Sequence, residues 1–352
     1  MTSYWKDYQK EIADDNFFIA RSCIRQTFFP GAENVIIDIL RNRLNINIIE
    51  DPDHTTCTGI GYHGDVVPLD TIMTVIARQF SIMQKNGLEN MVISCVTSFG
   101  IYSEILDLWK HHPEKKNQIA GYLEEATGRT FIEPKNLVHV SDLLYKFRHE
   151  IAKIAQYKLV NQNTGLPLKI VDHIGCHYAK IFRERGIGGS EFPQVLKGLI
   201  TVLGGDVIDY PERRHCCGFG FRHYLIQENR GYSISNSRIK LESMKPFEPD
   251  MIVANCPGCT MFLDRWQYTL EQMDHSVYGK DGNKIPVISH EELVALVLGY
   301  DPWEIGFQTH QVDIEPLLDK IGVKYNKDEK YVIRNRRVDA GAHILCGITV
   351  QD

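Results

Sequence analysis

The sequence offers little that would carry the chain to a membrane or to nucleic acid. Its longest apolar runs, such as 34–40 and 293–298, fall far short of the about 20 residues that a bilayer-spanning helix needs. The opening Met-Thr-Ser-Tyr-Trp-Lys-Asp-Tyr lacks the basic segment and apolar stretch of a secretory leader. Positive charge is not in excess: 39 lysines and arginines face 45 acidic residues, for a net charge of −6. That balance removes the basic footprint expected of a nucleic-acid or anionic-membrane binder. Two cofactor signatures are missing as well. No flavin-binding Gly-x-Gly-x-x-Gly follows a strand, and there is no compact C-x2-C-x2-C-x3-C run of the ferredoxin type. These absences predict a cytoplasmic protein that depends on partners for any flavin or cubane cluster. Structural disulfides are rare in that reducing compartment, so nine cysteines need another explanation, and metal is the first.

What is present begins with size. The chain has 352 residues, 43% hydrophobic and 24% charged, enough for two soluble domains that each bury a core. Eight of the nine cysteines fall into two copies of one pattern. The second copy has Cys176, adjacent Cys216 and Cys217 followed by Gly218, and Cys256-Pro-Gly-Cys259. The first has Cys23, Cys57-Thr58-Gly59 and Cys95-Val-Thr-Ser98. Offsets of about 153 at the first cysteine and about 161 at the last mark an internal duplication. The thiols sit where short apolar runs end: 16–20 before Cys23, 90–94 before Cys95, 168–172 before Cys176 and 250–254 before Cys256. Helical spacing of apolar residues separates these runs, for example over 69–86 and 191–203. Strands alternating with helices predict an α/β fold of parallel βαβ units, with ligands gathered beyond the carboxyl ends of the strands. A second matching pair, Asn136-Leu-Val-His139 and Ile285-Pro-Val-Ile-Ser-His290, predicts a strand with a histidine at the turn in each half. Turn residues over 161–167 place the boundary. The expected domains are 1–160, 161–300 and a C-terminal extension, 301–352, read as an appended surface or subunit-docking segment.

A Cys-x-x-Cys pair alone leaves a zinc site, a redox dithiol and an iron–sulfur ligand pair all open. The adjacent pair narrows the choice. Neighbouring residues in an extended segment point to opposite sides, so Cys216 and Cys217 serve one tetrahedral ion poorly, while a larger cluster accepts both on different metals. Four thiolates satisfy zinc or an ordinary cubane, and a fifth is surplus to either. The second half therefore reads as an iron–sulfur centre. In the first half Thr58 and Ser98 stand where thiols belong, and hydroxyl oxygens are poor substitutes on iron. Cys23, Cys57 and Cys95 remain, enough for an altered centre that His54 or His63 could complete, or for no centre at all.

The Cys…Cys-Cys-Gly…Cys-x-x-Cys pattern, twice over, resembles the cysteine-rich CCG domains of the heterodisulfide reductase B-subunit family. The match runs over about residues 16–302. It is complete in the second half, through Ile174-Gly-Cys176-His177, His215-Cys216-Cys217-Gly218, Asn255-Cys256-Pro-Gly-Cys259 and the His290-Glu-Glu-Leu segment. The resemblance implies two CCG domains and a noncubane [4Fe–4S] cluster on Cys176, Cys216, Cys217, Cys256 and Cys259. It implies disulfide, thiol or persulfide redox chemistry, in a complex with other iron–sulfur and flavin subunits. The degenerate first motif is similar to B-type subunits of complexes that oxidise protein-bound sulfur, with lipoate-carrying proteins as sulfur carriers. Two rivals stay open. One is an electron relay or scaffold with no substrate of its own. The other is a CCG subunit of a hydroxy-acid or glycerol 3-phosphate oxidising complex, which usually brings a ferredoxin-like segment ahead of the CCG domains.

Other residues carry weaker expectations. His177 and His215 flank the first cysteine and the cysteine pair, as hydrogen-bond donors to sulfur or as acid/base groups. Arg213 and Arg214 read as a basic turn able to attract an acidic substrate. Cys346, in an apolar context outside both copies, reads as a buried small hydrophobe.

Overall fold

A computed structural model describes residues 12–54, 59–179, 186–190, 192–219, 230–273, 275 and 283–325. It contains two four-stranded sheets built alike. In the first, β1 (Phe17–Ala20), β2 (Ile48–Ile49), β3 (Asn90–Ile93) and β4 (Asn136–His139) lie in the order β2-β1-β3-β4. In the second, β5 (Lys169–His173), β6 (Asp206–Val207), β7 (Met251–Ala254) and β8 (Val287–Ser289) lie in the order β6-β5-β7-β8. Every pairing is parallel. Two of the central strands, Phe-Phe-Ile-Ala in β1 and Met-Ile-Val-Ala in β7, are apolar and buried along their length, as in parallel sheets covered on both faces. The repeated strand order is the structural form of the duplication in the sequence.

The helices in chain order are α1 (Cys23–Phe28), α2 (Pro30–Asp38), α3 (Gly59–His63), α4 (Leu69–Lys85), α5 (Val96–His111), α6 (Pro113–Thr127), α7 (Val140–Lys146) and α8 (Arg148–Ile154). The second half continues with α9 (Cys176–Ala179), α10 (Val195–Val202), α11 (Arg230–Met244), α12 (Pro257–Gln272) and α13 (His290–Val297), followed by α14 (Pro302–Ile305) and α15 (Glu315–Ile321). None of them is long and apolar enough to cross a membrane. A Gly-x-Gly-x-x-Gly string does occur at Gly59–Gly64. It runs through the short helix α3, well beyond the end of β2, and so makes no strand-to-helix turn of the dinucleotide-binding kind.

Register corrects one expectation. His139 ends β4 opposite Ile93, and its Nδ1 accepts from Ser141 N at 3.1 Å while Asp142 accepts from His139 N at 2.9 Å. Ser289 ends β8 opposite Ala254 and caps α13 reciprocally with Glu292. The counterpart of His139 is therefore Ser289, and His290 lies one residue further on, inside the helix. A capping side chain is what the position requires, and histidine and serine both supply one.

The halves pack by exchange. Helix α5 of the first half lies against α9 of the second, and α12 lies against α1; α2 packs on α13, and α10 on α7. The residue two positions past each leading cysteine reaches into the other half. Tyr178 donates its hydroxyl proton to Asp142, and Arg25 donates to Glu291, all four residues buried. Close approach is built in at Gly175, where a Cβ would lie 2.9 Å from Cys256 Cβ and from Val96.

The described part of the segment expected as a surface extension, 301–325, supplies core instead. Ile305, Phe307, Leu318 and Ile321 are buried, and Asp264 of α12 accepts from Gln311 N at 2.7 Å and Val312 N at 2.9 Å. Helices α14 and α2 touch so closely that a Cβ on Gly31 would sit 2.3 Å from Ile305 O. Residues 326–352, including Cys346, lie outside the described residues.

Candidate metal centre

The thiols of the second half meet beyond the carboxyl ends of β5 and β7, at the point where the strand order reverses. Cys176 opens α9, Cys256 precedes α12, and Cys259 lies in its first turn. Cys216 and Cys217 come from the loop after β6. Cys217 Sγ lies 3.0 Å from Cys259 Sγ. Side-chain hydrogen bonds link Cys176 to Cys216, Cys216 to Cys217, and Cys259 to Cys256. All five expected thiols thus form one unbroken chain of contacts. A sixth joins it from the other half: Cys95, just before α5, bonds to Cys256.

The Cys-Cys-Gly loop is held from outside by one face of α11. Ser237 Oγ donates to Cys217 O, Ser233 Oγ to Gly218 O at 2.6 Å, and Lys240 Nζ to Glu212 O at 2.9 Å and Arg213 O at 3.0 Å. Gly218 has φ +91°, and a Cβ there would lie 2.3 Å from Ser233 O, so only glycine fits the turn. Ser233, Ser237 and Lys240 stand at helical spacing on the buried face of α11. Three polar residues in that period are the only trace of this support in the sequence.

The thiols divide electrostatically: Cys217 and Cys256 are held low, while contact with them and burial push Cys259 well above the ordinary thiol range. Burial opposes ionisation of Cys217, yet hydrogen bonds with Cys216 and Cys259 outweigh it and bring its pKa down to about 6. Contact with Cys259 and Cys95, helped by backbone N–H groups at the start of α12, holds Cys256 well below the ordinary thiol range. Cys216 feels a lowering contact with Cys176, but Cys217 and burial overcome it and push it up to about 11. Burial brings Lys240 down to about 8 although the nearby thiols hold its charge.

The remaining candidates are placed differently. His177 stacks on His63 of the first half, ring centroids 4.1 Å apart and planes within 2°. His215 sits half-buried with Nδ1 3.6 Å from Glu212 and Nε2 buried without a partner among the described residues. Arg213 is not open to a substrate: it pairs through two bonds of 2.7 Å with the buried carboxylate of Asp172. His173, which sequence reasoning passed over, is fully buried at the end of β5. One of its ring nitrogens and the sulfurs of Cys217 and Cys259 lie within 4.8 Å of one another.

In the first half, Cys23 is half-buried at the start of α1 and Ser98 is buried in the first turn of α5. His54 is packed on Phe18, and burial lowers it to about 4; burial does the same to His63. Cys57 and Thr58 lie outside the described residues.

Several mutually touching, partly ionised sulfurs with a buried cation beside them fit a metal–sulfur cluster. They exceed what one tetrahedral ion takes up. The cysteine-rich domain family CCG matches residues 170–264. The B subunit of the ferredoxin:CoB-CoM heterodisulfide reductase of Methanosarcina acetivorans is 26% identical over 323 residues, 89% of this chain and 98% of that protein. The corresponding protein of Methanosarcina mazei is 27% identical over 303 residues, 85% of this chain and 94% of that protein. A hypothetical protein from Helicobacter pylori shares the fold over 88% of this chain, with a TM-score of 0.56 at 10% identity; the chain spans 57% of it.

Proposed function

We propose, on the premise that this chain belongs to the heterodisulfide reductase B-subunit family, that it is the iron–sulfur redox component of a multisubunit complex. Cys176, Cys216, Cys217, Cys256 and Cys259 would hold a noncubane [4Fe–4S] cluster. The observation that carries this reading is the unbroken contact chain of those five thiols. Such a cluster would supply one-electron chemistry on the sulfur of a disulfide, thiol or persulfide. The degenerate first motif favours the oxidative direction, on protein-bound sulfur such as that of a lipoate-carrying partner. Electrons would pass to other iron–sulfur and flavin subunits in the cytoplasm.

The chain's own groups then have distinct tasks. The start of α12 stabilises negative charge on Cys256, and Lys240 offsets the charge of the thiol set from beneath. Glu212 faces His215 Nδ1, leaving Nε2 to hold or deliver a proton at substrate sulfur. His177 is fixed by its stack on His63 and shapes the wall between the halves. The chain would divide at 1–160 and 161–300, with 301–352 a C-terminal segment whose described part, to 325, packs into the core. A second, altered centre on Cys23, Cys57 and Cys95 would share Cys95 with Cys256, so metal content decides it. Iron and labile sulfide in the anaerobically purified protein, with EPR before and after a thiol or disulfide is added, test the reading. About four irons and a signal that changes with substrate support it. More than four place a centre in the first half, and an unchanged signal favours the electron relay.

A further inference from the structure

His173 is an isolated polar side chain among the described residues of the second half. It is fully buried, and neither ring nitrogen has a hydrogen-bond partner among the described residues, although an imidazole buried that way forfeits its hydration. The neighbouring acid offers no relief, because the Asp172 carboxylate is taken by Arg213. What His173 does face is sulfur, with Cys217 and Cys259 in one close group.

The duplication says which residues belong together. Strand β5 pairs with β7 so that His173 lies opposite Ala254, and β1 pairs with β3 so that Ala20 lies opposite Ile93. Ala20 is therefore the first-half counterpart of His173, as Thr58 is of Cys217 and Ser98 of Cys259. The three residues that cluster in space in the second half are the three replaced in the first. Cys23, Cys57 and Cys95, the counterparts of the other thiols, are kept.

We propose that His173 belongs to the second-half centre as a positioning residue, its neutral imidazole donating an N–H hydrogen bond to sulfur on the Cys217–Cys259 side. Direct ligation is the poorer fit. A metal-bound histidine almost always has its second nitrogen held by a carboxylate, a carbonyl or water, and no such protein group engages His173 among the described residues. Donation to sulfur disperses negative charge and favours the reduced form of the centre. The proposal rests on the iron–sulfur reading above and adds a residue to it.

The test compares full-length wild type, His173→Ala and His173→Gln, all purified anaerobically, by iron and sulfide content and by an EPR-monitored redox titration. The expected result is wild-type iron in His173→Ala with the reduction equilibrium weakened about tenfold, about 59 mV for a one-electron couple. His173→Gln, whose amide N–H can replace the donor, recovers part of the shift. Pulsed EPR on protein carrying 15N-histidine should show a weak nitrogen coupling in wild type that is lost in His173→Gln, which separates it from His177 and His215 beside the thiols and does not depend on the alanine variant folding. Unchanged potential and spectrum in His173→Ala, or no nitrogen coupling in wild type, overturns the proposal. So does a strong coupling of a directly bound nitrogen, with iron lost from the variant. Wild type without iron and sulfide overturns the iron–sulfur reading itself, a result distinct from any difference between variants.

Discussion

The two halves share a scaffold and differ in the residues it presents. Both have four parallel strands in the same order, a reciprocal cap on the helix after the last strand, and a cysteine just before the helix that follows the third. Yet the second half presents His173, Cys217 and Cys259 where the first has Ala20, Thr58 and Ser98. The fold therefore does not need these residues: the first half keeps its sheet and core without them. Cysteine retention is a matter of chemistry, and the geometry that brings Cys95 to Cys256 makes one face out of two unequal sides.

The comparison can be broken most sharply by making the second half like the first. Cys259→Ser removes a thiol that touches both Cys217 and Cys256, and we expect most of the iron to be lost from the purified protein, at least tenfold against wild type. Cys23→Ser should cost far less iron if the second half holds the main centre; metal analysis of both variants reads the contrast.

The interface offers the next test, since Arg25 and Tyr178 occupy equivalent places but use different chemistry. Arg25→Met takes the guanidinium from buried Glu291, leaving it the His290 imidazole 2.8 Å away, and should cost about 3–5 kcal/mol in urea or thermal unfolding. Arg25→Met combined with Glu291→Gln should recover much of it. Tyr178→Phe removes a neutral donor from Asp142 and should cost only about 1–3 kcal/mol by the same measurement.

The smallest effect concerns pH. Burial holds His54 at about 4 in the folded chain, below its ordinary value of 6.5. The unfolded chain then binds more protons between those values, so this contribution is complete above about 6.5 and is lost as pH falls toward 4. The melting temperature should decline on acidification from pH 7 to pH 5, and less steeply in His54→Gln.

Much of this was legible in the sequence, for reasons that have limits. Apolar runs ending in cysteine placed the strands and the edge where thiols collect, because parallel strands bury both faces and end at the ligand side. Contacts distant in sequence were not legible. Arg213 read as a basic turn because Asp172, its partner, is 41 residues away. Cys95 read as part of a first-half set because nothing local shows that it faces Cys256. His173 was hidden at the end of a strand, where the consecutive polar pair Asp172-His173 breaks an apolar run and was the only sign. His139 and His290 were matched by letter, and the register of β4 and β8 separates them by one residue.

Quantitation of iron and acid-labile sulfide in anaerobically purified protein tests the central claim most directly. A second-half cluster predicts about four irons with matching sulfide. One zinc per chain with no labile sulfide would contradict it and leave the thiols a structural site.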